Sequence, residues 1–137
     1  MTAEHTLRIA AQVENLATIR DFVAQHAFTM GVPPKVLDPV ILATDEAATN
    51  IIVHGYKGQP GEIEMTVSAI ARELHIRLRD TAHKFDPNTL PAPDLTLSLE
   101  ERPIGGMGVY LMRRCTDEIR YRALPAGGNE LTLIKFF

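Results

Sequence analysis

The stretch Asp45-Glu46-Ala47-Ala48-Thr49-Asn50-Ile51-Ile52-Val53-His54-Gly55-Tyr56 combines a core-forming pattern with a row of polar groups. At about 100° per residue, Leu37, Val40, Ile41, Thr44, Ala47, Ala48, Ile51 and Ile52 make one broad, mainly apolar helix face. Glu46, Asn50 and His54, each four residues from the last, lie on the opposite side. A carboxylate and a carboxamide one turn apart can hold a cation and polarise a water or hydroxyl. The helix therefore predicts both a core element and a site, and Gly55 is well placed to end it.

Upstream, residues 34–54 form the rest of this helix, starting near Pro34 or Lys35. Pro39 sits in its first turns, so the regular part is expected to begin only after it. Before it, residues 13–30 carry Leu16, Ile19, Phe22, Val23, Ala27 and Met30 at helical spacing, with Gly31 as the stop and Pro33-Pro34 barring continuation. Residues 6–11 alternate and suit a first strand.

Downstream, Gly58-Gln59-Pro60-Gly61 is a turn cluster, after which the period becomes two. Ile63, Met65, Val67 and Ala69 alternate with polar residues, as do Leu74, Ile76 and Leu78. A connection at Ala71-Arg72-Glu73 makes these strands an antiparallel hairpin, with Asp80 at its exit. Residues 81–108 show no apolar period, but they contain Pro87, Pro91, Pro93 and Pro103 and end on Gly105, Gly106 and Gly108. A loop of this length inside a compact domain is expected to be a lid or binding element. A short helix over 109–114 follows, then strands over 118–123 and 130–137. The sum is a single domain over 1–137, a two-layer α+β sandwich with helices on one face of a mixed, mostly antiparallel sheet.

Composition narrows the function. An apolar content of 45% supports a real core. A net charge of -3, with scattered Lys and Arg, argues against direct nucleic-acid binding. The one cysteine, Cys115, excludes an internal disulfide framework and fits a reducing compartment. With neither a signal-peptide pattern at the N-terminus nor a run of roughly 18 apolar residues, a cytoplasmic protein off the membrane is the expectation.

The motif Gly-x-x-x-x-Gly-Lys-Ser/Thr is absent, which excludes a P-loop, and no Gly-x-Gly-x-x-Gly follows a strand. Gly105-Gly106-Met107-Gly108 opens a helix, where missing side chains let backbone N–H groups close on phosphate oxygens. Asp80 can accept a hydrogen bond from an exocyclic amino group such as that of adenine. His54 lies one turn from Asn50, where capping the helix C-terminus is an alternative role. The histidines show no metal-ligand spacing.

Taken in order, Glu46-x-x-x-Asn50 with His54-Gly55-Tyr56, Asp80 with Phe85-Asp86-Pro87, and Gly105-Gly106-Met107-Gly108-Val109-Tyr110-Leu111-Met112 resemble the GHKL (Bergerat-fold) ATPases. Within these the pattern is most similar to the RsbW-like anti-sigma factor serine/threonine-protein kinases of partner-switching systems. The resemblance implies ATP and Mg²⁺ as cofactors, with Glu46 as the general base and Asn50 as the metal ligand. It places His54, Asp80, Phe85, Gly105, Gly106, Met107, Gly108 and Val109 with Asn50 around the nucleotide, Asp80 on the adenine amino group and the glycines over the phosphates. Implied partners are a sigma factor, a STAS-type antagonist as phosphoryl acceptor and a second copy of the chain in a homodimer. Two positions depart from the family pattern: Ala82 stands where a glycine is usual, and Met107 where a basic residue is common. They motivate the alternative of a catalytically weakened or inactive binding module on the same fold.

Overall fold

The computed structural model describes residues 3–84, 86 and 106–137, with backbone only at 106 and 107. Most of the expected lid, with Phe85 and Gly105, lies outside the described residues.

Strand β1 (Ala3–Ala10) leads through a 3-10 turn (Val13–Asn15) into helix α1 (Leu16–Thr29). Ile19, Val23 and Ala27 are wholly buried along the anticipated stripe. The helix ends in a Schellman arrangement: Gly31 takes φ +88°, its N–H donates to the Phe28 carbonyl at 3.1 Å, and the Val32 N–H donates to the Ala27 carbonyl at 3.1 Å. Gly31 satisfies the last carbonyls of α1 while turning the chain back toward the core.

Helix α2 (Pro34–Asn50) starts at its first proline, which suits the first helical position because that N–H needs no partner there. Pro39 lies inside the helix without delaying its start. Past Asn50 the helix widens into a π-turn (Ile51–Gly55), closed by the Tyr56 N–H on the Ile51 carbonyl at 2.9 Å.

Strands β2 (Glu62–Ile70) and β3 (Glu73–Asp80) form the predicted hairpin. The connection is one residue shorter than expected, because Glu73 already pairs with Ile70. Ala71 and Arg72 hold φ values of +50° and +65°, the left-handed pair of a two-residue hairpin turn, without glycine. Helix α3 (Gly106–Cys115) then precedes β4 (Glu118–Ala123) and β5 (Asn129–Phe136).

The five strands run in the order β1-β2-β3-β5-β4, each described pairing antiparallel. Ile63, Met65 and Val67 of β2, Leu74, Ile76 and Leu78 of β3, and Leu131 and Leu133 of β5 project to one side. There they join Val40, Ala43, Ala47 and Ala48 of α2 and Val109 and Met112 of α3 in one core. Full burial of each larger aliphatic side chain contributes about 1.5–3 kcal/mol. This is the two-layer α+β sandwich that the periodicities imply. Among the described residues no helix is long and apolar enough to cross a membrane.

Candidate nucleotide site

Helix α2 is covered on two flanks: its apolar face lies on the sheet, and the column Glu46–Asn50 meets the start of α3. Asn50 is therefore buried, at 9% exposure, although its sequence position suggested a polar outer face. Its side-chain Nδ2 has no hydrogen-bond partner among the described residues. A buried amide without a partner costs about 1–3 kcal/mol, so this group is poised to gain from a ligand.

The backbone of α3 comes very close here. A Cβ added to Gly108 would stand 2.9 Å from Glu46 Oε2 and 3.7 Å and 3.8 Å from Asn50 Oδ1 and Nδ2. Glycine here lets the N-terminal turn of α3, with its partial positive charge, sit against the acid and the amide without displacing the Glu46 carboxylate. Burial, followed by the neighbouring Asp45 charge, pushes the Glu46 carboxyl above its ordinary range. Asp45 itself is held by Arg20 of α1 at 2.6 Å.

Asp80, the last residue of β3, is 5% exposed. Its Oδ1 accepts from the Ala82 N–H at 2.9 Å and from Asn129 Nδ2 at 2.9 Å, leaving Oδ2 unengaged among the described residues. Asn129 is fixed in turn: its Nδ2 also donates to the His83 carbonyl at 2.8 Å, and its Oδ1 accepts from the Tyr121 hydroxyl at 2.5 Å. Burial pushes the Asp80 carboxyl up, and the bonds from Asn129 and the Ala82 backbone restrain that rise. Ala82 makes its contact without a positive φ, so the absence of glycine there strains nothing.

Asn50 and Asp80 open into one pocket, walled by Ala47, Ile51, Met112 and Leu131 and completed by Gly55, His83, Tyr121 and Asn129. A larger opening shares Gly55 and His83 with it and adds Tyr56, Lys57 and Lys84. Apolar walls, a carboxylate with a free oxygen at one end and an unpartnered amide at the other fit an aromatic base bearing an amino group, joined to a metal-bound anion. The donor set suits Mg²⁺, a hard cation that takes few protein oxygens and keeps several waters.

Of the residues anticipated from sequence, Glu46, Asn50 and Gly108 come together, and Asp80 shares the pocket with Asn50. His54 is half-buried and does not line the pocket; Gly55 does. The π-turn accounts for this, because its spacing of five residues, rather than four, brings Gly55 under Asn50. The Val109 side chain, at 1% exposure, packs into the core, so any contact it makes with a nucleotide is through its backbone. Gly106 opens α3, and the side chain of Met107 lies outside the described residues. Asn129, Tyr121 and Met112 are pocket residues that sequence reasoning missed. Counting back by twos from Leu133 and Leu131 marks Asn129 as inward-facing, a polar residue on a buried parity.

A profile of the family described as "Histidine kinase-like ATPase domain" matches residues 9–135. The chain is 32% identical over 118 residues to the serine-protein kinase RsbW of Bacillus cereus strain AH820. The same identity holds for the proteins of that name from Bacillus anthracis strain CDC 684 / NRRL 3495 and Bacillus thuringiensis strain Al Hakam. Each alignment covers 83% of this chain and 74% of the relative. With the sandwich fold and with the acid, amide and glycine of the motifs gathered at one pocket, these matches show that the chain belongs to the histidine kinase-like ATPase domain family, among its RsbW-like anti-sigma kinases.

Proposed function

We propose that the protein is an ATP- and Mg²⁺-dependent serine/threonine kinase and anti-sigma factor that phosphorylates a STAS-type antagonist in a cytoplasmic partner-switching system. The observation that carries this reading is the close approach of Gly108 to Glu46 and Asn50 beside the pocket that holds Asp80. It supports one cleft with a base-recognising end and a phosphate-handling end.

In this reading Asp80 Oδ2 accepts a hydrogen bond from the amino group of adenine, with Asn129 and Tyr121 fixing the carboxylate behind it. Asn50 would hold Mg²⁺ through its amide oxygen, and the ion would supply charge neutralisation for the phosphates. The first turn of α3, with Gly106 and Gly108, directs N–H groups to phosphate oxygens. Glu46 takes the proton of a serine or threonine hydroxyl presented by the antagonist. Its raised proton affinity makes it a better acceptor than an exposed glutamate. The resemblance also assigns Gly105, Met107 and Phe85 to nucleotide binding.

Incubation with γ-labelled ATP, Mg²⁺ and the antagonist tests the reading. Label is expected on the antagonist with this chain and not with Asn50→Ala, which should also lose Mg²⁺-dependent nucleotide binding in calorimetry. Nucleotide bound normally without transfer would leave a sigma-sequestering module, the reading that Ala82 and Met107 motivate. No nucleotide binding at all would overturn the kinase.

The chain is expected to act as a homodimer through α1 and β1. In support, β1 is an edge strand, and Val13 and Phe28, beside and on α1, are 57% and 67% exposed. Sedimentation at high micromolar concentration that gave only the monomer mass would refute this.

A further inference from the structure

The sheet face turned away from the helices carries two adjacent cross-strand rows with different charge patterns. In one, Arg8, Glu64, Arg79, Glu130 and Arg122 follow each other across all five strands. The signs alternate and the row is ion-paired throughout: Arg8–Glu64 at 2.8 Å, Arg79–Glu64 at 3.8 Å, Arg79–Glu130 at 2.6 Å and Arg122–Glu130 at 3.2 Å. Such a ladder is self-neutralising and explains its own residues.

The next row reads Thr6, Thr66, Arg77, Thr132 and Arg120. It holds two guanidinium groups, three hydroxyls and no acid. Arg120 reaches along its own strand to Glu118 at 2.9 Å. Arg77 pairs with no carboxylate among the described residues. Its one bond runs from Nη2 to the Thr66 hydroxyl at 3.3 Å, and its Nε is shielded from solvent without any partner. Little is lost when this side chain turns to meet an anion, and an unmet donor is gained back.

Thr66, Arg77, Thr132 and Arg120 of this row line a groove, to which Ser68 and His75 also contribute. We propose that this groove docks a peptide segment of a partner protein that carries one acidic residue, with its carboxylate seated on Arg77 and neighbouring hydroxyls satisfying its remaining oxygen sites. Size and charge choose the occupant. Five strands about 4.8 Å apart make a groove about 19 Å across, the span of roughly six extended residues and far more than one small ion needs. Glu4 and Glu130 also line it. Burial tends to raise the Glu130 carboxyl, but bonds from Arg122 and Arg79 hold it below the usual range, so it stays charged. These two acids favour a segment with one carboxylate at this point over a doubly charged phosphate or a run of acids, and the planar guanidinium fork matches a carboxylate's two oxygens. The groove lies on the opposite side of the sheet from the nucleotide pocket, so docking there leaves the pocket open.

The test is fluorescence anisotropy of a fluorescein-labelled serine-rich peptide with one central glutamate, titrated with the full chain at low ionic strength. Arg77→Gln should weaken binding by about tenfold or more, as loss of a charge-assisted fork implies, whereas Arg8→Gln in the ladder should change it less than about threefold. Thermal melts and ATP affinity should match the parent in both variants. In the unsubstituted protein, the Arg77 side-chain Nε–H resonance should move on peptide addition, a readout independent of any variant's folding. Absence of binding, equal weakening by both variants, an unmoved Arg77 resonance, or displacement of the peptide by an equal concentration of inorganic phosphate would each overturn the proposal.

Discussion

Replacing Gly108 with alanine should make the protein more stable and less active, a pairing that separates its two roles. Gly108 is helical and not at positive φ, so alanine relieves the entropic cost of glycine in a helix, worth about 0.5–1 kcal/mol. Against this, the new Cβ would stand 2.9 Å from Glu46 Oε2, where ordinary contact begins at 3.4 Å. The contact atom is the far end of a flexible side chain, so the carboxylate retreats by about 0.5 Å at little cost in folding energy. The Asn50 atoms at 3.7 Å and 3.8 Å need not move. For a domain of this length the net gain should raise Tm by about 2–3 °C. Transfer should suffer, because a base displaced by a fraction of an ångström and a methyl group in the phosphate space together cost on the order of tenfold or more. Differential scanning calorimetry beside single-turnover transfer to the antagonist would measure both. A lowered Tm with unchanged transfer would refute the placement of this glycine against the proposed base, Glu46.

Glu46→Gln should abolish transfer while leaving the neutral-pH melting temperature equal or higher. The Glu46 carboxyl is raised in the folded state, so its contribution to stability is present below its unfolded pKa and is lost as pH rises through the folded value; glutamine removes that loss. For the parent, transfer should fall on acidification through the raised Glu46 value, read as the acid limb of kcat. Asn129→Leu takes away a bond that restrains the Asp80 carboxyl, so the acid limb of ATP binding by calorimetry should move to higher pH, while an unmoved limb would refute the coupling. Gly128→Ala should destabilise by about 3 kcal/mol or more in urea unfolding, since the position holds φ +99° and a Cβ would overlap the Asp80 carbonyl.

The elements were legible because their periods are clean. Ile19, Val23 and Ala27 declare one helix face, and the alternation through Ile63, Met65 and Val67 declares a strand whose inward side is certain. Gly31 announced its own left-handed turn. The site was legible where spacing alone positions groups, as for Glu46 and Asn50 on consecutive turns. It was hidden where tertiary context decides. Asn129 follows Gly127-Gly128 and looks like one more turn residue, until pairing with Asp80 in register makes it the inward end of β5. The left-handed Ala71 and Arg72 carry no turn chemistry in their side chains, and the π-turn that moves His54 out of line has no composition signal. Asn50 reads as an exposed polar residue because α3, which covers it, lies far along the chain.

The widened turn at Ile51–Gly55 sets the phase of all that follows it. Directly after it the Tyr56 hydroxyl donates to the Glu62 carbonyl at 2.7 Å and accepts from the Thr81 N–H at 2.9 Å, clasping the entrance of β2 to the exit of β3. Wound as an ordinary helix, the same residues would swing the tyrosine roughly 100° around the axis and leave both strand ends unfastened. The wider loop thus works as a spacer ring, indexing the amide-bearing helix to the carboxylate-bearing strand so that the two ends of the cleft keep a fixed separation.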